Sequence, residues 1–339
     1  MDKDTLKNIA CKLSQPPKGI LAADESTNTI KKRFASIDLE SSVENRRKYR
    51  ELLFKTPKLS DSISGVIMYD ETIRQKTSEN LLFTEFLSQN QIIPGIKVDT
   101  GAVPLSKNSE EMITEGIDGL KGRLTEYLNL GAKFTKWRAI ITINESLPSN
   151  YCVAVNSFNL ARYAKIVQES GLVPIVEPEV LMDGAHSIEE CYNVTKKILK
   201  NVFHQLLEHE VFLEGILLKP NMVLSGNLCK QQASVHEVAT MTLKCLTESV
   251  PPEVPGIVFL SGGQANELAT EHLNEMNKIT TAPWKLSFSY GRALQQPSIS
   301  AWKGLDQNIK ISQDALHKRS MLNSKATTGE YSKDLEINS

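Results

Sequence analysis

The sequence predicts an α/β protein folded as a single (β/α)8 barrel, and three observations carry that prediction. Eight short apolar runs recur along the 339 residues, each followed by sequence with helical spacing. Inside the runs the apolar residues are continuous rather than alternating, which is the pattern of strands buried on both faces. No linker interrupts the series, which occupies about 290 residues, within the range that such TIM barrels take. A doubly wound open sheet would show the same periodicity, so spacing alone leaves that alternative open. No internal sequence repeat is present.

Taken in order, the expected strands are Gly19–Ala23, Gly65–Tyr69, Ile93–Val98 and Phe134–Ile143, then Leu172–Val176, Leu213–Leu218, Gly256–Leu260 and Leu286–Tyr290. Helices fill the intervals. Between Glu189 and Glu208, Val194, Ile198, Val202 and Leu206 recur at steps of four and define one apolar face. Ser187 three residues before Glu190 has the form of a capping box. The stretch Val235–Leu246 has the same helical periodicity. Residues 1–325 are expected to form the barrel with an N-terminal helix, and 326–339 a flexible tail, the polar character setting in from about Asn323.

Bulk composition excludes several function classes. Lys and Arg total 39 against 40 Asp and Glu, so the net charge of -1 gives no overall pull toward nucleic acid or membrane. No apolar run approaches the roughly 18 residues of a membrane helix, and the charged start lacks a signal peptide's apolar stretch. Five scattered cysteines without CxxC spacing suit a reducing compartment, and a cytoplasmic location is expected. His204 and His209 are spaced i, i+5, a poor match to one helix face, and no HExxH occurs. No metal site and no cofactor are expected.

Lys219 carries the chemistry. It stands in Leu213-Glu-Gly-Ile-Leu-Leu-Lys219-Pro-Asn221, where an apolar strand ends. Desolvating an ammonium costs several kcal/mol unless something compensates. Burial therefore favours the neutral amine, a nucleophile toward carbonyl carbon. The plainer reading is a lysine that snorkels to water or pairs with a carboxylate. The other strand ends weigh against it, because in a barrel the C-terminal strand ends face the active site. Those ends supply Asp24 and Glu25, Asp70 and Glu71, Lys97 and Asp99, Lys136 and Arg138, Glu177 and Glu179, Lys219, Ser261-Gly262-Gly263, and Ser289-Tyr-Gly291-Arg292.

Three patterns stand out among them. Lys97, Lys136 and Lys219 would converge, with Arg138 on the same strand face as Lys136. Crowded cations repel, which favours one neutral amine able to form an imine; the competing reading is separate salt bridges to Asp24, Glu177 and Glu179. Carboxylates beside such a lysine can shuttle protons. At the last two strand ends, Ser261–Gly263 and Gly291-Arg292 suit phosphate, since backbone N–H groups, a helix N-terminus and a guanidinium can all approach it there. Together they suggest imine chemistry on a phosphorylated carbonyl compound.

At this point the chain resembles the class I, Schiff-base, fructose-bisphosphate aldolases. The resemblance rests on Gly19-Ile-Leu-Ala-Ala-Asp-Glu-Ser26, Glu44-Asn-Arg-Arg47, Gly95-Ile-Lys-Val-Asp99 and Lys136-Trp-Arg138. It continues through Val173-Pro-Ile-Val-Glu-Pro-Glu179, Leu217-Leu-Lys-Pro-Asn-Met222, Phe259-Leu-Ser-Gly-Gly-Gln264 and Ser287-Phe-Ser-Tyr-Gly-Arg-Ala293, covering about residues 18 to 325 in order. The resemblance implies that Lys219 forms an iminium with C2 of the ketose and that Glu177 helps expel water. Asp24 would take the C4 hydroxyl proton, and Lys136 would keep the nucleophile neutral and stabilise developing charge, with Lys97 and Glu179 in support. Ser261, Gly262, Ser289, Gly291 and Arg292 would hold the C1 phosphate. Arg33 and Lys97, with Arg138, would meet the second phosphate or the sugar hydroxyls. It also implies glycolytic and gluconeogenic cleavage of a small phosphorylated sugar, a homotetramer, and no nucleic-acid or membrane partner.

Two departures from the family pattern are visible. Animal members end in a tyrosine, whereas this chain ends Glu336-Ile-Asn-Ser339, with Tyr331 out of that register. Asn28 and Thr29 stand where Gly and Ser are expected, in what reads as an exposed loop. The motifs leave open a preference for sedoheptulose 1,7-bisphosphate. A catalytically idle scaffold is the alternative from a different class, and Asp24, Lys136, Glu177 and Lys219 together argue against it. A metal-dependent class II aldolase is disfavoured by the absence of clustered histidines.

Overall fold

The structure, a computed structural model, describes residues 2–107 and 109–338. Ten strands occur among them: β1 (Gly19–Ala23), β2 (Ile63–Met68), β3 (Ile93–Lys97), β4 (Gly101–Pro104), β5 (Met112–Glu115), β6 (Phe134–Ile141), β7 (Val173–Val180), β8 (Leu217–Leu218), β9 (Gly256–Phe259) and β10 (Lys285–Tyr290). Eight of them close in the order β1-β10-β9-β8-β7-β6-β3-β2, with every barrel pairing parallel. Because β1 pairs with both β2 and β10, the sheet has no free edge, and the open-sheet alternative falls.

Each expected run supplies a barrel strand, with three adjustments. β7 continues to Val180, so Glu177 and Glu179 lie inside a fully buried strand rather than beyond its end. Charge at those positions stops the apolar pattern but not the strand, because cations on neighbouring strands meet it. β8 shrinks to two residues, since Leu213–Gly215 forms a 3₁₀ turn. There the chain presses on the N-terminal helix, and a Cβ at Gly215 would lie 3.0 Å from Leu6 Cβ. The pair β4 and β5 forms an antiparallel hairpin after β3 that the apolar runs do not reveal, because its residues are mostly half-exposed.

Helices cover the barrel as expected. Ile188–Glu208 is capped by Ser187, whose hydroxyl accepts from Glu190 N at 3.2 Å while the Glu190 carboxylate accepts from Ser187 N at 2.6 Å. The N-terminal helix Lys3–Ser14 floors the barrel. Its buried stripe Leu6, Ala10 and Leu13 joins Ile20, Ile67, Phe134, Val173, Leu217 and Val258 in one apolar cluster. Small residues make this fit: a Cβ at Gly256 would sit 2.2 Å from Ser14 Cβ. A Cβ at Gly95 would lie 2.3 Å from the Phe134 ring.

The polar stretch read as a tail begins inside structure. Asn323 is buried within the helix Ile309–Ala326. Beyond it Tyr331 is also buried; its N–H donates to Asn274 Oδ1 at 2.9 Å and its hydroxyl to Glu336 Oε1 at 2.9 Å. A short helix Asp334–Asn338 follows, tied by Glu336 to Arg319. A single aromatic in a polar segment gives no periodicity from which this docking could be read.

Gly95→Ala is expected to cost about 1–3 kcal/mol, because the core around Phe134 must yield to the added methyl. A lower urea midpoint than the parent's would show it; an unchanged midpoint would refute the steric account.

Candidate active site

A cavity of about 620 Å³ opens at the C-terminal ends of the barrel strands, and all thirteen residues to which the family resemblance assigns a role line it. Six cations (Arg33, Lys97, Lys136, Arg138, Lys219, Arg292) and five carboxylates (Asp24, Glu25, Asp99, Glu177, Glu179) face it. Strand register explains the gathering. Lys97 lies opposite Lys136, Arg138 opposite Glu177, and Ile140 opposite Glu179. Residues two apart on a strand share a face, so Lys136 and Arg138 point inward together, as do Glu177 and Glu179. Lys219 follows β8, its N–H donating to Val176 O at 2.8 Å, and Pro220 then ends the ladder.

At the cavity floor four buried ions form a row of alternating charge. Lys136 Nζ lies 2.5 Å from Asp24 Oδ2 and 3.3 Å from Glu177 Oε2, while Lys219 Nζ lies 3.1 Å from Glu177 Oε1. The salt bridges of the competing reading are therefore present, but at the floor they are joined into one row through Lys136 and Glu177. They stand separate only at the periphery, where Arg138 pairs with Glu179 and Lys97 with Asp99. Burial pushes the Asp24 and Glu177 carboxyls up, but Lys136 and Lys219 outweigh it and hold both below the usual carboxylate range. Burial likewise pushes Lys136 down, yet Asp24 and Glu177 raise it above an ordinary lysine. The row is thus anion, cation, anion, ending on the Lys219 amine, whose one ion-pair partner among the described residues is Glu177. Glu177 Oε2 accepts no hydrogen bond among them despite Lys136 nearby.

The opposite wall suits an anion. Gly262 and Gly263 take φ of +52° and +84°, so the turn after β9 needs glycine for its left-handed backbone. The helix Arg292–Trp302 starts at Gly291 with no side-chain cap, leaving its first N–H groups to the cavity. Ser289 Oγ is buried, lines the cavity, and has no hydrogen-bond partner among the described residues. Burial and the nearby Arg33 both push the Arg292 guanidinium below its ordinary value, which marks a place where negative charge is missing. Arg33 is itself fixed from behind. Glu25 takes Arg33 at 2.5 Å and Arg50 at 2.7 Å, and accepts from Gln295 Nε2 at 2.8 Å.

Some placements differ from the sequence reading. Asp70 begins a short helix and bonds Arg74 and Tyr127, and Glu71 pairs with Arg46, so neither lines the cavity. Asn28 and Thr29 lie in the first turn of the helix Thr27–Ala35 at the cavity rim, not in a loop. The Tyr331 hydroxyl bonds Glu336 and is absent from the lining. Arg50 and Gln295, which brace Glu25, were not anticipated. Arg50 sits one turn beyond Arg46 on the helix Val43–Phe54, and only the tertiary fold brings it to Glu25. Thr100, Gly101 and Ala102, at the start of the β4–β5 hairpin, were missed with the hairpin.

Among the described residues no group of three or more His, Cys, Asp or Glu side chains could hold a metal ion. No helix there is long and apolar enough to cross a membrane. The profile of a family described as fructose-bisphosphate aldolase class I matches residues 5–339. A protein of Xanthomonas axonopodis pv. citri named as a probable fructose-bisphosphate aldolase class 1 is 53% identical over 98% of this chain and 99% of its own length. The cytosolic fructose-bisphosphate aldolase 6 of Arabidopsis thaliana is 48% identical over 98% of this chain and 93% of its own. Among solved structures, the Plasmodium falciparum fructose-bisphosphate aldolase, in complex with TRAP and a small-molecule inhibitor, superposes with a TM-score of 0.96 at 47% identity, covering 97% of this chain and 96% of that one.

The depressed carboxyls set an acid limb to stability. Their contribution is whole above the unfolded values, about 3.9 for Asp and 4.3 for Glu, and is lost as pH falls toward the lower folded values. Asp24→Asn removes one of them. Urea midpoints measured between about pH 5 and pH 3 are expected to fall less steeply in this variant than in the parent; equal slopes would refute the linkage.

Proposed function

We propose, from the premise that this chain belongs to the class I fructose-bisphosphate aldolase family, that Lys219 is the nucleophile through which it works. The reaction is reversible cleavage of fructose 1,6-bisphosphate to dihydroxyacetone phosphate and glyceraldehyde 3-phosphate. The observation that supports the nucleophile is the 3.1 Å contact of Lys219 Nζ with Glu177 Oε1 inside the buried row. A proton passing across that contact yields at once a free amine and a carboxylic acid. The amine adds to the C2 carbonyl, and Glu177 returns its proton to the departing hydroxyl, which leaves as water.

The iminium then withdraws electrons from the C3–C4 bond. As that bond breaks, the C4 hydroxyl loses its proton to Asp24, the aldehyde departs, and the electron pair rests in an enamine on Lys219. Lys136 remains cationic 2.5 Å from Asp24 and steadies the charge on that carboxylate before the proton arrives. Protonation at C3 and hydrolysis restore the lysine. Glu179 fixes Arg138, and Asp99 fixes Lys97, so both cations are presented to the substrate from braced positions.

Ser261, Gly262, Ser289, Gly291 and Arg292 form the C1 phosphate cradle in this reading. Arg33, Lys97 and Arg138 meet the second phosphate and the hydroxyls. We also take the protein to be a cytoplasmic homotetramer. Phe158 and Leu207, exposed on the helices Asn150–Glu169 and Ile188–Glu208, offer the apolar surface that a subunit contact would cover.

Borohydride reduction with dihydroxyacetone phosphate in excess chelator is expected to leave a covalent adduct on Lys219, located by peptide mass mapping. No adduct on folded protein would overturn the iminium. Lys219→Ala is expected to abolish cleavage, and retention of more than a few per cent would count against the nucleophile. Arg292→Ala should raise the Michaelis constant for the bisphosphate about 10- to 100-fold, as for loss of a charged hydrogen bond; an unchanged constant would remove Arg292 from the cradle.

A further inference from the structure

The turn Ser261–Gly263 has little of its own to hold it. Two of its residues are glycines in left-handed conformation. The next residue, Gln264, is 3% exposed and makes a bond from each of its polar groups. Its N–H donates to Ser261 O at 3.0 Å, and its side-chain Nε2 donates to the same oxygen at 2.9 Å. Its own carbonyl accepts from the Arg292 guanidinium. Its Oε1 lies 2.6 Å from Nδ1 of His272, on the helix Asn266–Ile279.

These contacts fix which atom does what. A carbonyl only accepts, so the Gln264 amide must turn its nitrogen to Ser261 and its oxygen to His272. His272 must then carry hydrogen on Nδ1. It is 2% exposed, and burial pushes the imidazole down to about 4, so near neutral pH it is the uncharged Nδ1–H form. The reaction outlined above uses neither residue. A buried polar side chain that gives up its bond to water needs a partner, and each of these two has the other.

We propose that Gln264, locked in orientation by His272, is a positioning residue that ties the Ser261–Gly263 turn to Arg292 and so sets affinity for the C1 phosphate. The proposal rests on the reading of that turn and Arg292 as the phosphate cradle. Gln264 touches no substrate; it joins the backbone half of the cradle to its guanidinium half, and His272 anchors the join to a rigid helix.

The test is the concentration dependence of borohydride trapping with dihydroxyacetone phosphate and with phosphate-free dihydroxyacetone. It compares the parent with Gln264→Leu, His272→Leu, His272→Asn and the double variant Gln264→Leu/His272→Leu. Leucine nearly preserves volume while removing the side-chain bonds, and asparagine at 272 keeps an N–H donor. Gln264→Leu is expected to raise half-saturation for the phosphorylated ketose about tenfold, from the lost bonds, and to leave the phosphate-free ketose unchanged. His272→Leu should shift in the same direction, His272→Asn should recover toward the parent, and His272→Leu should add nothing once Gln264 is leucine. A lower melting temperature with the two ketoses moving together, or not at all, would overturn the proposal. Should Gln264→Leu not fold, the contrast between His272→Leu and His272→Asn decides it in the same way. If the parent itself traps both ketoses at equal concentration, the cradle reading fails first and this proposal with it.

Discussion

The row Asp24, Lys136, Glu177, Lys219 is the constraint around which the molecule is arranged. Each of the four is less than 10% exposed, so none is solvated as it would be in water. Removing one partner from such a set strands a buried charge, typically at about 3–5 kcal/mol. The barrel is what makes the set tolerable. It turns β1, β6, β7 and β8 around one axis, so that Glu177 meets Lys136 and Lys219 from the strands on either side while Asp24 reaches Lys136 across the barrel. Apolar residues of similar size would pack there with less penalty, and that they are not used argues that the charges serve chemistry rather than stability.

The outer ions extend the same logic. Glu25 carries no step of the reaction, but between Arg33 and Arg50 it fixes a cation at the rim. Asp99 and Glu179 do the same for Lys97 and Arg138. Arg292 stands apart, held by an amide oxygen of Asn266 and the Gln264 carbonyl, with no carboxylate partner among the described residues. Of the six cations that line the cavity, the one that would face the C1 phosphate is thus the one left without an internal counter-charge among the described residues. The candidate site sits at one end of the barrel; at the other, the helix Lys3–Ser14 closes the floor with an apolar stripe, and Leu13 O accepts from Ser64 Oγ at 2.7 Å.

What could be read from the sequence follows from how each feature is encoded. The barrel strands are buried on both faces, so their residues form unbroken apolar runs, and Gly256–Phe259 or Gly19–Ala23 could be marked directly. The hairpin of β4 and β5 is half-exposed and carries no such signature. Lys219 and Asp24 could be found because a charge at the end of an apolar run is conspicuous, and Lys136 because it interrupts one. Asp70 and Glu71 satisfy the same rule, yet a short helix turns them away from the axis. Arg50 and Gln295 act across the fold on Glu25, and no local pattern records a contact made only when the chain closes.

Closure has a consequence for how the protein is made. The last barrel strand, β10, pairs with the first, and Ser287 Oγ bonds Lys18 O across 269 positions of sequence. During synthesis from the N-terminus, β1 can join β2 early, but its other edge has no partner until Tyr290 has left the ribosome. A nascent chain of intermediate length therefore presents two open sheet edges and an uncovered apolar interior, the state most prone to aggregate. The ring that leaves the finished enzyme without an edge is the same ring that keeps the growing chain exposed until nearly its full length has emerged.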